Sequence, residues 1–337
     1  MALSPTYTYQ NISMVPRNIS KSSTRRSIDL SKKIHNNGNS ISLNMPVLPA
    51  PMDTISGIEM CKVLSKNGML GMIHRFQSSE ERINHYEMLS DLGTDCFIAV
   101  GLEDELFIKN IYSKGARLFI LDVANGFNIH VEPVIKMIKD FGDTFVICGN
   151  VASMEGFEYL AGLGVDAIRV GIGNGSMCTT SIMTGVGQGI VSALLECKYI
   201  KKEKNLDSLI IADGGVRDVG HISLALGLGA DLVMVGRMFA GTKEAEGNIL
   251  KYNGKLYKAY RGSASFAVQN KSKSNPYYIE GDETIVSYKG SVQNILDKID
   301  AGLRSALSYM GALDLKELQE YATFVQYSMD EKLFSTP

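Results

Sequence analysis

Cys178 and Thr180 lie two residues apart in the stretch GIGNGSMCTTS, residues 171–181. In an extended loop such neighbours face the same way. A thiolate at that position would be a strong nucleophile, with the hydroxyl beside it able to handle a proton. Glu280, in KSKSNPYYIEGDE (271–283), is the carboxylate that would complete a relay. On position alone it reads as a solvated acid in a charged loop. The three glycines read either as a linker holding a chance thiol or as a loop that brings a nucleophile to a ligand. Gly214-Gly215 and Gly236 offer backbone N–H groups to phosphate oxygens. Ser176 adds a hydroxyl, and Asp213 is placed to accept from ribose hydroxyls. These pieces together suggest a nucleoside monophosphate. A tight turn would also explain Gly-Gly, and the two roles are compatible.

Residues so far apart in the chain need a scaffold to gather them. Apolar runs rich in Val, Ile and Leu recur at 46–50, 69–73, 97–101, 117–122, 145–149, 167–171, 209–213 and 232–236. None alternates polar with apolar, so both faces of each predicted strand are buried, as in a parallel sheet. Helix-like segments separate them. Val131, Val134, Ile135 and Ile138 fall on one helical face, and Ile295, Ile299, Leu303 and Leu307 mark another. Eight such units predict a (β/α)8 barrel rather than an open doubly wound sheet, since no dinucleotide fingerprint is present. The expected organisation is one domain over 1–337. It has an N-terminal arm (1–45), a cysteine loop (171–189), a flap (266–286) and a C-terminal helix and tail (290–337).

In such barrels the loops after the strands line the active face. Met52-Asp53-Thr54 follow the first run, His74-Arg75 the second, Asp122 and Asn125 the fourth, and Asn150 the fifth. Cys178 follows the sixth, Asp213-Gly214-Gly215 the seventh and Gly236-Arg237 the eighth. Any one of these reads as a structural hydrogen bonder, but seven loops converge on one face. The interval after the sixth run is about twice the others, and the cysteine stretch opens it.

The 337 residues are 45% hydrophobic with a formal net charge of -2. That gives no case for nucleic acid as the main partner, and no run is long enough for a membrane span. Five cysteines, at 61, 96, 148, 178 and 197, include no Cys-x-x-Cys pair. This fits neither a disulfide framework nor a zinc site and points to a reducing, cytoplasmic compartment. Four of the five sit in apolar strand-like or helix-like runs; Cys178 does not.

With PMDTISGIEM, LDVANG, CGNV, GIGNGSMCTT, IADGGVRDVGHISLALGLGADLVMVG, YRGSAS and EGDETIVSYKG on the page, the chain resembles the IMP dehydrogenases and GMP reductases nearly end to end. The resemblance implies that Cys178 attacks purine C2, with Thr180 and Glu280 activating or protonating the attacking or leaving group. It implies nucleotide contacts from Ser176, Asp213, Gly214, Gly215, Gly236, Arg237 and Tyr260, and from Gly262, Ser263, Ala264 and Ser265. Asp122, Ala124, Asn125 and Gly126 would lie near the nicotinamide, and Arg75 would meet the extra phosphate of NADPH. A monovalent cation such as K+ on the carbonyls of Gly173, Gly175 and Cys178, and a homotetramer, are also implied.

Within the family, LDVANG, the Thr184-Gly185-Val186-Gly187 segment and the lack of a regulatory insertion after the second run are similar to the reductases. So is a short flap with no arginine from Phe266 to Ile279. The expected reaction is NADPH-dependent conversion of GMP to IMP and ammonia. The alternatives are an IMP dehydrogenase without its regulatory insertion and a catalytically silent nucleotide-binding protein. Asn174 stands where proline is usual, Arg237 where a small residue is, and Gln188-Gly189 replaces a Tyr-Pro-Gln-like ending. Arg261 is closer to the dehydrogenases.

Overall fold

A computed structural model describes residues 4–36, 39–263 and 281–327. Eight parallel strands form its centre: Val47–Pro49, Gly71–Ile73, Cys96–Val100, Leu118–Asp122, Phe145–Val151, Ala167–Val170, Leu209–Asp213 and Leu232–Val235. Each expected run supplies one of them. The sheet runs from the first strand to the eighth, then back in order to the second. Val233 pairs with Val47 and Met72 with Phe97. Only the seam between the first and second strands lacks a ladder among the described residues, so the barrel is nearly closed.

Burial explains the absence of alternation in the sequence. Every residue of the third and fourth strands is buried, because one face fills the barrel interior and the other meets the helices. The helix Val131–Lys139 turns Val131, Val134, Ile135 and Ile138 inward, all buried as expected. In the long helix Gln293–Met310, Ile299, Leu303 and Leu307 are buried together with Leu296 and Met310. Ile295 is only partly buried, since Leu296 takes the inward position one residue later. Several helices start on side-chain caps. Ser78 accepts from Glu81 N, Ser153 from Gly156 N and Asp218 from His221 N.

Outside the barrel, the expected N-terminal arm contains a hairpin of Lys32–Asn36 with Asn39–Leu43. Ile34 and Leu43 of that hairpin are buried. Ile12–Met14 pairs with Phe324–Gln326 near the other end of the chain. A three-stranded antiparallel sheet of Ile249–Tyr252, Lys255–Arg261 and Glu283–Ser287 follows the eighth barrel strand. Of the expected flap, residues 266–280 lie outside the described residues, while Glu283–Ser287 is a strand of this sheet.

Candidate active site

The loops leaving the C-terminal ends of the strands enclose a cavity of about 420 Å3, within the usual range for a small-ligand site. The cysteine loop forms one wall. It leaves the sixth strand through Gly171, whose φ is +138 and whose imagined Cβ would lie 2.0 Å from the Asp213 carbonyl oxygen. Only glycine fits there. Asn174 then ties the loop to itself. Its Nδ2 donates to the carbonyls of Ile172 (3.1 Å) and Gln188 (2.8 Å), and its Oδ1 accepts from Ile190 N at 3.0 Å.

Beyond that tie, Cys178 is half-buried and its thiol donates to Thr180 Oγ1 at 3.2 Å. The pair therefore meets as its spacing suggested. The other four cysteines are buried. Burial pushes the Cys148 thiol up to about 12, so it is not a ready nucleophile. The Gly175 carbonyl, one of three expected around a monovalent cation, accepts from Cys178 N at 3.0 Å. The carbonyls of Gly173, Gly175 and Cys178 cannot by themselves make up a cation's oxygen shell.

The wall expected to meet phosphate gathers glycine turns and hydroxyls. Gly214 has φ +97, and a Cβ on it would press within 3.0 Å of Gly175 N, so this turn packs directly on the cysteine loop. The hydroxyls of Ser176 and Tyr260 lie 3.0 Å apart. Tyr260 is buried, and burial raises its phenol above the ordinary value. Arg237 is exposed where it lines the cavity. It forms no ion pair among the described residues.

A network of charges lines the same cavity. Asp213 Oδ2 accepts from Arg169 Nε (3.0 Å), Arg169 Nη2 (2.8 Å) and Asn150 Nδ2 (2.8 Å). Arg169 Nη1 reaches Asp122 Oδ1 at 2.6 Å, and Arg75 Nε reaches Asp122 Oδ2 at 3.2 Å. The Arg75 guanidinium also covers the Phe76 ring at 4.7 Å. Burial alone would raise the Asp122 carboxyl, but the Arg169 and Arg75 guanidiniums hold it below its ordinary value. An ionised Asp122 beside an open cavity is an acceptor suited to the hydroxyls of a dinucleotide's ribose.

The stems of the flap are anchored. Arg261 grips Asp53 through Nε (3.1 Å to each oxygen) and Nη2 (2.7 Å). Gly262 N donates to Asp282 O at 2.9 Å, and Asp282 N to Met177 O at 2.9 Å. Residues on both sides of the undescribed segment thus meet the chain next to Cys178.

Cys178, Thr180, Ser176, Asp213, Gly214, Gly215, Gly236, Arg237, Tyr260, Gly262 and Ser263 all line the one cavity, as do Asp122, Ala124 and Arg75. Asn125 and Gly126 do not. Asn125 Oδ1 accepts from Phe127 N at 3.0 Å, and Gly126 N donates to Asn150 O at 2.8 Å, which makes them turn-formers. Glu280, Ala264 and Ser265 lie outside the described residues. Sequence reasoning passed over Arg169, although a lone arginine inside an apolar strand signals a buried charge that needs partners.

A family model described as IMP dehydrogenase / GMP reductase domain matches residues 6–335. A GMP reductase of Lactobacillus delbrueckii subsp. bulgaricus is 35% identical over 320 residues, covering 93% of this chain and 92% of the relative. A GMP reductase of Buchnera aphidicola subsp. Acyrthosiphon pisum is 36% identical over 301 residues, 87% and 86% of the two chains. An inosine-5'-monophosphate dehydrogenase of Nitrosopumilus maritimus is 38% identical over 245 residues, which is 68% of this chain and 51% of that protein.

Proposed function

We propose that this chain, which belongs to the IMP dehydrogenase / GMP reductase family, is a GMP reductase that turns GMP into IMP and ammonia. The observation that carries this reading is the Cys178–Thr180 contact at 3.2 Å in the wall of a cavity shared with Asp213 and the Gly214-Gly215 turn. Two findings favour the reductase over the dehydrogenase. Residues 266–279 contain two lysines but no arginine, so no guanidinium is there to activate water for hydrolysis. Relatives named GMP reductase are also matched over nearly their whole length.

In this reading Asp213 accepts the ribose hydroxyls, while Ser176, Gly215, Gly236 and Arg237 receive the phosphate. Cys178 as thiolate adds to C2 of the base. The C2–N bond breaks and the amine leaves as ammonia, its proton coming by way of Thr180 and Glu280, the roles the resemblance implies for them. NADPH supplies the hydride that C2 takes up when it is bound. Asp122, Ala124 and Arg75 would hold that group. When the C2–S bond breaks, the thiolate is restored and IMP departs. A homotetramer in the cytoplasm belongs to the same reading.

An absorbance assay tests it. Consumption of NADPH with GMP supports the reductase. Formation of NADH from IMP and NAD would instead establish the dehydrogenase, towards which Arg261 leans by resemblance. Nucleotide binding without turnover of either pair would mean a silent binding protein.

A further inference from the structure

Arg169 projects from the sixth barrel strand between Ile168 and Val170, both fully buried, and is itself only 7% exposed. A buried guanidinium is stable there only with anionic partners, and it has two on different neighbours. Asp213 ends the seventh strand and Asp122 the fourth. Nε and Nη2 are spent on Asp213, and Nη1 on Asp122. All three bonds that Asp213 receives from side chains fall on Oδ2. Oδ1, the oxygen left without a side-chain donor among the described residues, is then the acceptor available to a nucleotide.

We propose that Arg169 is a positioning residue that couples the two ligand sites, one guanidinium orienting Asp213 for the nucleotide and Asp122 for the dinucleotide. This rests on the reductase reading for which ligand sits on which side. The planar fork suits the task, because its five donors in fixed directions meet two carboxylates with three bonds, whereas an ammonium's three donors all sit on one nitrogen. Arg75 closes the outer end by holding the second oxygen of Asp122, and Asn150 closes the inner end by linking Asp213 to the Gly171 carbonyl at 2.7 Å. The start of the cysteine loop is therefore part of the same hydrogen-bonded chain. Occupying one site stiffens the carboxylate that serves the other, so the two ligands favour each other's binding.

The wild-type protein is first assayed with GMP plus NADPH and with IMP plus NAD, and titrated calorimetrically with each compound alone. Turnover of the second pair in place of the first overturns the reductase reading, and the coupling is then measured on IMP and NAD. Arg169→Lys retains a cation but loses the rigid fork that meets both carboxylates from fixed directions. Its affinities for nucleotide and for dinucleotide should both fall about ten- to a hundredfold, with a native circular-dichroism spectrum. Asp122→Asn supplies a second measurement should the lysine variant not fold. It alters the dinucleotide side only, yet through Arg169 it should weaken GMP about two- to thirtyfold. Loss of thermal stability with both affinities unchanged would reduce Arg169 to a structural ion pair. An effect of Arg169→Lys on nucleotide alone, or unaltered GMP affinity in Asp122→Asn, would likewise overturn the coupling.

Discussion

Cys178 differs from the chain's four other thiols in its surroundings more than in its chemistry. Cys61, Cys96, Cys148 and Cys197 are packed in apolar material, and burial raises the thiols of Cys148 and Cys197 above the ordinary value. Cys178 is half-buried beside a hydroxyl at 3.2 Å and lines the cavity. Cys178→Ala should abolish turnover while leaving GMP affinity close to wild type, measured by the NADPH assay beside calorimetry. Loss of binding together with turnover would count against a purely chemical role. Thr180→Val should lower kcat about a hundredfold or more, with KM little changed, if the hydroxyl carries the proton. These two residues were legible in the sequence because their spacing alone aligns them. Arg169 was not, because its partners lie 47 and 44 positions away in sequence, on other strands. The only local trace was a charge within AIRVG.

The loop between Gly171 and Ile190 must hold a reactive sulfur still without a strand or long helix to do so; its one helix, Thr180–Thr184, has five residues. Asn174 supplies the constraint by satisfying two carbonyls and one N–H at opposite ends of the loop. The N-terminal segment adds a second constraint. Gly189 N donates to Thr6 Oγ1 at 2.8 Å, and Val191 N to Tyr7 O at 3.0 Å. Asn174→Ala should therefore lower kcat about tenfold with a smaller change in overall stability, since three hydrogen bonds are lost in a loop that must stay ordered. Kinetics set beside urea unfolding separate the two effects, and equal losses in both would deny the loop a special role. Barrel strands were legible because doubly buried parallel strands are written as unbroken apolar runs. The sheet built from Ile249–Tyr252, Lys255–Arg261 and Glu283–Ser287 was not, because most of its residues are exposed. Its sequence carries no comparable run. Asn174 was noticed only as a departure from a usual proline, and the three bonds that give it meaning exist only once the loop has folded.

At the scale of the molecule, the two ends of the barrel divide their labour. Carboxylates at the C-terminal face serve the cavity, while those at the N-terminal face tie neighbouring strands and helices together. Asp231, just before the eighth strand, is buried. Its Oδ2 accepts from Ile210 N (2.9 Å) and Lys201 Nζ (3.0 Å), and its Oδ1 from Lys32 Nζ (2.6 Å). One side chain thus fastens the N-terminal hairpin and the helix Ile190–Glu203 to the seventh strand. Asp166 repeats the device before the sixth strand, with Lys139 at 2.9 Å and Val146 N at 2.7 Å. Burial would raise the Asp231 carboxyl, but Lys201 and Lys32 bring it below its ordinary value. A carboxyl whose folded value is depressed binds fewer protons folded than unfolded, so its contribution is complete above about 3.8, the unfolded value, and is lost as pH falls through the folded value. Asp231→Asn should cost about 3 kcal/mol at neutral pH, where it strands two lysines beside a neutral amide. The gap between variant and wild type should close on acidification below the usual carboxylate range. Urea midpoints at neutral and at acid pH measure it. A gap that stays constant across that range would show that the amide's geometry, and not the lost charge, carries the effect. Specific activity of the folded fraction should stay at the wild-type level, because nothing in this cluster touches the cavity.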